Sequence, residues 1–359
     1  MRRVSRMQKG SAYTGRLPKG CVLCEKGAKM VLLVTGRCDK RCFYCPLSQE
    51  KKGKDVFYAN ERRISRTGQA VEEAELIDAL GTGMTGGDPL LEIDRTVEAI
   101  RALKKRFGKP HHIHLYTTQA DRRKIEKAAK AGLDEIRFHP PIAEWTSLAK
   151  SPYAKASAYA KKLGMKVGLE VPVIPGREKE LVAVVKFADD AGLDFVNLNE
   201  LEFSETNWRS LRTLGLDVRD DISAGVNGSE KLALDLLKLE TDVPLHYCSA
   251  AFKDGVQLRR RIMRRAKKVK RPHELLTKDG TLLKGIIETD DRSMTAAWLM
   301  QKFCVPGNLV WSNPEKDRLE IAPWVLEEIV GEIDLPAYII EEYPTADGLE
   351  VERIPLKRR

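Results

Sequence analysis

Short apolar runs alternate with amphipathic stretches along the first two thirds of the chain. The apolar runs predict strands over residues 30–36, 81–87, 112–118, 135–141, 166–174 and 195–202. Between them, apolar residues recur at helical spacing, and a glycine follows several of these stretches. Six strand-and-helix units in series predict an α/β fold, with a parallel sheet and outer helices. The units could close partly into a barrel or form an open doubly wound sheet. In both cases the carboxyl ends of the strands form the functional edge.

The alternation loosens after Glu202. A helix with Ser229 as a candidate cap and a short strand over 243–250 come next, followed by a basic helix with one apolar stripe. Later patterns predict a small α+β domain that ends in a hairpin. The predicted domains are an N-terminal extension, a barrel, a basic helix and a small C-terminal domain, over residues 1–29, 30–250, 251–271 and 272–359.

Composition narrows the class of protein. The chain has 359 residues, of which 42% are hydrophobic, so a sizeable core is expected. The N-terminus lacks the apolar run of a signal peptide, and no run of about 18 apolar residues occurs. We therefore expect a soluble, cytoplasmic protein with no membrane partner. Sparse Asn and Gln beside abundant Lys, Arg and Glu suggest a thermophile.

Three of the seven cysteines lie in one short loop after the first predicted strand. Cys38, Cys42 and Cys45 have the spacing C-x3-C-x2-C. Three thiolates can bind three corners of a cubane iron–sulfur cluster and leave the fourth iron open for chemistry. A structural zinc would need a fourth ligand, and no histidine follows Cys45 before His111. The loop therefore favours an iron–sulfur cluster, although a distant histidine could still complete a zinc site.

The stretch CDKRCFYC, with the aromatic Tyr44 before the third cysteine, resembles the cluster motif of the radical S-adenosylmethionine superfamily. The resemblance implies a partial (β/α)6 barrel and a [4Fe-4S] cluster whose open iron binds S-adenosylmethionine. It also implies reductive cleavage of that cofactor to a 5′-deoxyadenosyl radical, which abstracts a substrate hydrogen. An electron donor such as ferredoxin or flavodoxin would be a partner.

The glycine-rich stretch GTGMTGGDPLL stands where such enzymes hold the methionyl ammonium of the cofactor. The resemblance assigns Gly86, Gly87 and Asp88 to this role. Two glycines do allow a close backbone approach, and a carboxylate can pair with an ammonium. The alternative is an ordinary turn in which Asp88 caps a helix.

Later strand ends are matched to the superfamily by strand order alone. This order points to Thr118, Arg137 and Glu170 as further cofactor contacts. Each could equally belong to a buried salt bridge or a polar rim.

The sixth strand is unusually polar for a buried parallel strand, because Asn197, Asn199, Glu200 and Glu202 interrupt it. We interpret these residues as substrate contacts, with an internal hydrogen-bond network as the alternative.

The basic helix offers the one other indication of a substrate. Residues 259–271 carry nine of the ten net positive charges and no acidic residue. Cations such as Arg259, Arg260 and Arg264 would attract a polyanion, which suggests modification of RNA, for example tRNA. A solvated charged face is the alternative.

Other functions remain open at this point. One is glycyl-radical-type activation of a protein partner, and another is non-catalytic nucleic-acid binding by an iron–sulfur or zinc protein. The flanks GCVLC, NLNELE and HYCSA resemble an archaeal family described as related to pyruvate formate-lyase activating enzyme, which implies no defined reaction.

The remaining cysteines suggest a second metal. Cys21 and Cys24 form a C-x2-C pair that Cys248 or His246 could complete, as an auxiliary iron–sulfur cluster or a zinc site. Residues 25–29 would have to double back for these ligands to meet. The alternative is a pair of cysteines that only pack. Cys304 has no evident partner and is expected to be an ordinary buried residue.

Overall fold

One sheet of eleven strands organises the first of two structural units. The computed structural model describes residues 3–219 and 223–356, and this unit comprises residues up to 75 and from 79 to 258. Its strands are β1 Val4–Arg6, β2 Ala12–Thr14, β3 Lys29–Thr35, β4 Phe57–Ala59, β5 Arg62–Ile64, β6 Gly81–Gly86, β7 His112–Thr117, β8 Glu135–Phe138, β9 Lys166–Val173, β10 Phe195–Glu200 and β11 Leu245–Cys248.

The sheet is parallel in its centre and antiparallel at both edges. Its order is β1-β2-β11-β10-β9-β8-β7-β6-β3-β4-β5, and the ladders from β3 through β11 are all parallel. The pairs β4–β5 and β1–β2 extend the edges as antiparallel hairpins. The predicted α/β fold, built on six parallel strands, is therefore confirmed. A seventh parallel strand, β11, lies beside β10.

The helices of this unit are α1 Lys19–Glu25, α2 Thr67–Leu76, α3 Ile93–Phe107, α4 Arg122–Ala131, α5 Pro152–Lys162, α6 Glu178–Asp190, α7 Trp208–Thr213, α8 Ser229–Leu236 and α9 Ala250–Phe252, and a π-helical segment over Lys253–Leu258 follows. The helices α2 to α6 fall between the six predicted strands, as the apolar spacing predicts. The structure corrects the predicted cap of α8. Gly228 precedes the helix, and the Ser229 hydroxyl donates to the Val173 carbonyl at 2.8 Å.

The second unit contains residues 76–78 and 259 onward, and its sheet is antiparallel. Its strand order is β14-β15-β13-β16-β17, with the short β12 paired to β13. The elements are α10 Arg259–Val269, β12 Leu275–Leu276, β13 Leu282–Ile287, α11 Arg292–Lys302, β14 Val310–Asn313, β15 Arg318–Ile321, α12 Pro323–Ile329, β16 Ala337–Glu342 and β17 Glu350–Pro355. The predicted C-terminal α+β domain is thus confirmed, and β16 and β17 form its final hairpin.

The exposure of Cys304 and the burial of residues on α10 complete the description of this unit. Cys304 is exposed rather than buried, because the chain leaves α11 there with a φ of 55°. The basic helix α10 buries Ala266 but also Arg265, whose guanidinium donates to the Pro344 carbonyl. Among the described residues, no helix is long and apolar enough to cross a membrane.

A buried lysine pairs with three carboxylates in the second unit. The Lys284 ammonium lies 2.6 Å from Glu274, 2.8 Å from Glu342 and 3.5 Å from Glu320. His273 and Glu320 also approach to 3.0 Å. Among the described residues, His273, Glu274 and Glu320 form the one set whose ligand atoms all lie within 4.8 Å. Because Lys284 pairs with Glu274 and Glu320, and Arg318 also pairs with Glu320 at 2.8 Å, we assign this set to folding rather than to metal binding.

The stability of the second unit should therefore fall as the pH falls from about 4.5 to about 2. Burial alone would raise the pKa of Glu320, but His273 and Lys284 hold it at about 2, below its usual 4.5. A carboxylate whose pKa is lower in the folded state stabilises the fold at pH values above its unfolded-state pKa. This stabilisation is lost as acid protonates the carboxylate of the folded protein. Native-state hydrogen exchange of the β13 amides over this range measures the loss.

Glu320→Gln should lower the free energy of unfolding at pH 7 and flatten this acid limb. Glu352→Gln, at an exposed position of the same sheet, is the matched control and should change stability by less than about 0.5 kcal/mol. Unchanged free energies of β13 opening between pH 5 and 2 in the unmodified chain would contradict the prediction.

Candidate active site

The loop that carries Cys38, Cys42 and Cys45 follows β3 directly and is closed by its own backbone. Gly36 N–H donates to the Lys54 carbonyl at 2.9 Å, and Gly53 N–H donates to the Gly36 carbonyl at 2.8 Å. A side chain at Gly36 would lie 1.7 Å from the Lys51 carbonyl oxygen, so only glycine fits there. The three thiols are half-buried. They stand at the carboxyl edge of the parallel sheet, where the sequence placed them.

Two residues far along the chain, Thr206 and Asn207, hydrogen-bond to the backbone of this loop. The Thr206 hydroxyl donates to the Cys45 carbonyl at 3.1 Å and to the Leu47 carbonyl at 2.8 Å. The buried Asn207 amide donates to the Tyr44 carbonyl at 3.1 Å. Sequence reasoning missed both residues, because no local pattern links a polar loop to a partner 161 residues away.

Tyr44 anchors the loop to the sheet through a histidine. Its hydroxyl lies 2.8 Å from His139 Nε2, and His139 Nδ1 lies 2.7 Å from the Glu170 carbonyl oxygen. Since a carbonyl only accepts, Nδ1 carries the proton and Nε2 accepts from Tyr44. Burial lowers the pKa of His139 and raises the pKa of Tyr44, so both groups are neutral. His139 was missed, although its position at the end of β8 could have indicated it.

The glycine turn after β6 packs against the cysteine loop. Gly87 N–H donates to the Thr35 carbonyl at 2.7 Å, and Asp88 N–H donates to the Arg37 carbonyl at 2.8 Å. A Cβ at Gly87 would lie 2.0 Å from the Arg37 carbonyl oxygen, and Gly86 adopts a φ of 145°. Glycine is therefore required at both positions to bring the two loops together.

The Asp88 carboxylate faces the chain rather than the cavity. It is fully buried and accepts from Thr117 Oγ1 at 2.8 Å, from the N–H and hydroxyl of Thr118 at 2.7 Å each, and from Leu90 N–H at 3.0 Å. Burial raises the pKa of Asp88, while these donors oppose the rise. The carboxylate thus caps the short helical turn Pro89–Glu92, which is the alternative that the sequence offered.

A cavity of about 960 Å³ opens between these loops and the interior of the sheet. Six of the seven cysteines line it, namely Cys21, Cys24, Cys38, Cys42, Cys45 and Cys248. The other sequence-predicted residues that line it are Tyr44, Gly86, Gly87, Thr118, Arg137, Glu170, Asn197, Asn199, Glu200, Glu202 and His246. Asp88 is the exception among the predicted cofactor contacts.

A buried ion network fills the floor of the cavity. Arg137 Nη1 lies 2.8 Å from Glu170 Oε2, and Arg137 Nε lies 2.6 Å from Glu135 Oε1. Burial alone would raise the pKa of Glu135, but Arg137 holds it at about 2. The amides of Asn197 and Asn199 each donate to the Glu170 carboxylate at 2.8 Å. Arg137 and Glu170 therefore form a buried salt bridge that the two asparagines complete.

The two later carboxylates of the NLNELE stretch are also engaged. Glu200 Oε2 accepts from Ala250 N–H at 2.7 Å, and its other oxygen lies 3.2 Å from Arg219. Burial raises the pKa of Glu200. Glu202 forms an ion pair with Lys253. The internal-network alternative accounts for these contacts, and a substrate role stays a prediction.

The three predicted arginines of the basic helix belong to the second unit. Arg259 lies 3.1 Å from Asp279, and Arg264 lies 2.7 Å from Asp78, which is also part of that unit. Arg260 has a partner as well. Part of the positive charge that suggested a polyanion is thus neutralised locally.

The donor set of the cysteine loop fits an iron–sulfur cluster better than a single zinc ion. Its three thiols are absent from the one tight ligand set found among the described residues. Zinc needs four ligands at about 2.0–2.3 Å from one point, whereas a cubane spreads its thiolates over separate corners. The adjoining cavity leaves room for a bound cofactor.

Comparison with known proteins agrees with this geometry. A family model described as the radical SAM superfamily matches residues 32–188, and one described as a domain of unknown function (DUF8061) matches residues 280–356. A putative glycyl-radical enzyme activating enzyme from Methanocaldococcus jannaschii is 41% identical over 363 residues, which cover 95% of this chain and 93% of the relative.

The solved structures are less similar in sequence to this chain than that relative is. SuiB from Streptococcus suis bound to S-adenosylmethionine is 14% identical, with a TM-score of 0.41 over 62% of this chain and 50% of that one. This chain therefore spans about half the length of that structure. Methylornithine synthase is 14% identical, with a TM-score of 0.40 over 58% and 61% of the two chains.

The organism of the 41% identical relative is in keeping with the archaeal origin that the resemblance implies, and a thermophilic source stays a prediction. The relative is 41% identical over nearly its whole length, and the radical SAM model matches the strand that precedes the cysteine loop. Members of that superfamily use a [4Fe-4S] cluster and S-adenosylmethionine. This chain is therefore an enzyme of the radical SAM superfamily and belongs to the family of the putative activating enzyme.

Proposed function

We propose that Cys38, Cys42 and Cys45 hold the cluster and that the adjoining cavity receives S-adenosylmethionine and the substrate that loses a hydrogen atom. The observation that carries this proposal is the placement of three thiols, on one loop, at the mouth of a cavity of about 960 Å³. When bound, the cluster and its cofactor supply one-electron chemistry that protein side chains lack. The electron would come from a donor such as ferredoxin or flavodoxin.

The chain's own residues position this chemistry. Tyr44, His139, Thr206 and Asn207 fix the cysteine loop through four neutral hydrogen-bonding groups. Asp88 fixes the glycine turn by accepting a hydrogen bond from the Thr118 N–H, while Gly86 and Gly87 line the cavity. The turn can then offer backbone groups to the methionyl part of the cofactor without a side chain in the way.

Thr118, Arg137 and Glu170 are proposed to line the cofactor's path rather than to pair with it as free charges. Arg137 and Glu170 neutralise each other at 2.8 Å, and the Thr118 hydroxyl is committed to Asp88. Breaking such a buried pair leaves an uncompensated charge, which costs about 3–5 kcal/mol. We therefore infer that these side chains fix the shape and the dielectric of the cavity.

For the substrate, the support for a protein partner is the name of one relative. The M. jannaschii relative carries the name of a putative activating enzyme for glycyl-radical enzymes. RNA modification rests on the basic helix alone, where Arg259 and Arg264 already have acidic partners. We therefore propose hydrogen abstraction from a protein partner, and RNA modification stays a prediction without structural support.

The reconstituted protein should release 5′-deoxyadenosine when given dithionite and S-adenosylmethionine under anaerobic conditions. Cys42→Ala should reduce this release by at least 100-fold, because two thiolates cannot hold the cluster. Cys304→Ala, which changes an exposed cysteine of the second unit, is the matched control and should match the unmodified protein. Product formation is measured by liquid chromatography; absence of the product from the unmodified protein would refute the proposed function.

Gly87→Ala should lose most of the iron that the loop of Cys38, Cys42 and Cys45 holds in the unmodified protein. The added Cβ would meet the Arg37 carbonyl oxygen at 2.0 Å and push the cysteine loop away from the glycine turn. Gly68→Ala is the control, because a Cβ there meets no atom within 4 Å. The measurement is iron per chain after anaerobic reconstitution. Equal iron contents in the two variants would show that contact between the loops does not shape the cluster site.

A further inference from the structure

The N-terminal helix α1 carries one buried thiol, Cys21, and one half-buried thiol, Cys24. After α1, Gly27 adopts a φ of 63° and reverses the chain, which removes the difficulty that Cys21 and Cys24 precede a strand. Cys21 Sγ reaches Arg137 Nη2 at 3.5 Å and Asn197 Nδ2 at 3.4 Å. A side chain at Gly20 would lie 2.5 Å from the same guanidinium, so the helix fits closely. Both cysteines line the central cavity.

A buried histidine nitrogen without a partner faces the same cavity. His246 is 3% exposed, and among the described residues its Nε2 has no hydrogen-bond partner. The Asn197 amide nitrogen must donate to the Glu170 carboxylate, so its oxygen faces His246 Nδ1 at 3.2 Å. Nδ1 therefore carries the proton, and Nε2 presents a lone pair. Metal-binding histidines are commonly fixed in this way by a partner on the other nitrogen.

Positive charge or an N–H donor stands beside each of three thiols. Arg137 contacts Cys21 Sγ, and Gln257 Nε2 lies 3.5 Å from Cys248 Sγ. The Lys29 ammonium interacts electrostatically with Cys24, and Lys253 does so with Cys248. Bound thiolates need such neighbours, and N–H groups directed at sulfur tune iron–sulfur clusters. The cysteine loop supplies none of these contacts, so this set is independent of the first site.

The spacing of the four groups exceeds what one ion can bridge. His246 lies in register with Asn197, and Cys248 lies in register with Asn199, two residues and about 7 Å further along the sheet. Among the described residues, no three of these ligand atoms lie within 4.8 Å of one another. Thiolates on one zinc ion lie at most about 4.6 Å apart, at a Zn–S distance of about 2.3 Å. A polynuclear cluster spans such gaps.

We propose that Cys21, Cys24 and Cys248, with His246 Nε2 as the fourth ligand, bind a second iron–sulfur cluster inside the sheet. This cluster would tie α1 to β11 across the cavity floor. It adds a metal centre to the proposed function without being required by it, since the loop of Cys38, Cys42 and Cys45 is complete on its own.

Iron and sulfide analysis of the full chain after anaerobic reconstitution tests this proposal. The unmodified protein should hold about eight iron atoms, the content of two cubanes. Cys21→Ser with Cys24→Ser should halve the iron, and triple replacement of Cys38, Cys42 and Cys45 by serine should leave the other half. Cys304→Ser is the matched control and should leave both clusters in place.

Several results would overturn the second cluster. One is four iron atoms in the unmodified protein, all of them lost in the triple variant. Another is a single zinc ion, detected by mass spectrometry, that disappears with Cys21 and Cys24. If the triple variant loses all its iron and the variant without Cys21 and Cys24 loses none, the first site is supported and the second is refuted. If the triple variant keeps all the iron of the unmodified protein and the variant without Cys21 and Cys24 loses it, the second cluster is supported and the proposed function is refuted.

A milder variant guards against simple misfolding. His246→Gln keeps all three thiols, so it should retain the iron while shifting the electron paramagnetic resonance spectrum of the reduced second cluster. The far-ultraviolet circular dichroism of each apoprotein should match that of the unmodified chain. An unshifted spectrum in His246→Gln would remove this histidine from the ligand set.

Discussion

The buried salt bridge between Arg137 and Glu170 is the interaction on which the rest of the site depends. The Arg137 guanidinium is 2% exposed and pairs with the carboxylates of both Glu170 and Glu135, because an unpaired charge would be costly in this interior. The pair joins β8 to β9. From it, contacts reach β10 through Asn197 and α1 through Cys21.

Glu170 connects the two sets of cysteines by different atoms. Its backbone carbonyl accepts from His139, which in turn accepts from Tyr44 in the cysteine loop. Its carboxylate orients Asn197, and Asn197 sets the tautomer of His246. One residue near the middle of β9 therefore orders both the loop at the sheet edge and the interior behind it.

Periodicity alone was sufficient for the parallel strands of the first unit and for α2 to α6 and α8, since each has a buried stripe or run that the chain displays locally. The strand at residues 30–36, for example, is observed as Lys29–Thr35. The cysteine loop was equally visible, because its three ligands are close in sequence. The edge strands β1, β2, β4 and β5 and the helices α1, α7 and α9 were not predicted. The roles of Arg137 and Glu170 could be narrowed only to two alternatives, because a charged residue on a strand looks the same whether it meets a ligand or another strand.

Long-range contacts account for what sequence reasoning could not supply. Thr206 and Asn207 act on a loop about 160 residues earlier in the chain, with no local pattern to mark them. Asp88 was seen as a carboxylate beside two glycines, but only the fold shows that Thr117 and Thr118 from the next strand enclose it. Cys304 was expected to be buried because it has no evident partner and free cysteines are usually buried, whereas the residue adopts a left-handed backbone angle and is exposed.

The central claim is that the loop of Cys38, Cys42 and Cys45 presents an incompletely ligated iron to S-adenosylmethionine. Electron paramagnetic resonance of the reduced Cys21→Ser, Cys24→Ser variant, recorded with and without S-adenosylmethionine, tests it most directly, because only the loop cluster remains. We predict a [4Fe-4S] signal whose g values shift when the cofactor is added. A signal that stays unchanged while dialysis shows the cofactor to be bound would contradict the claim.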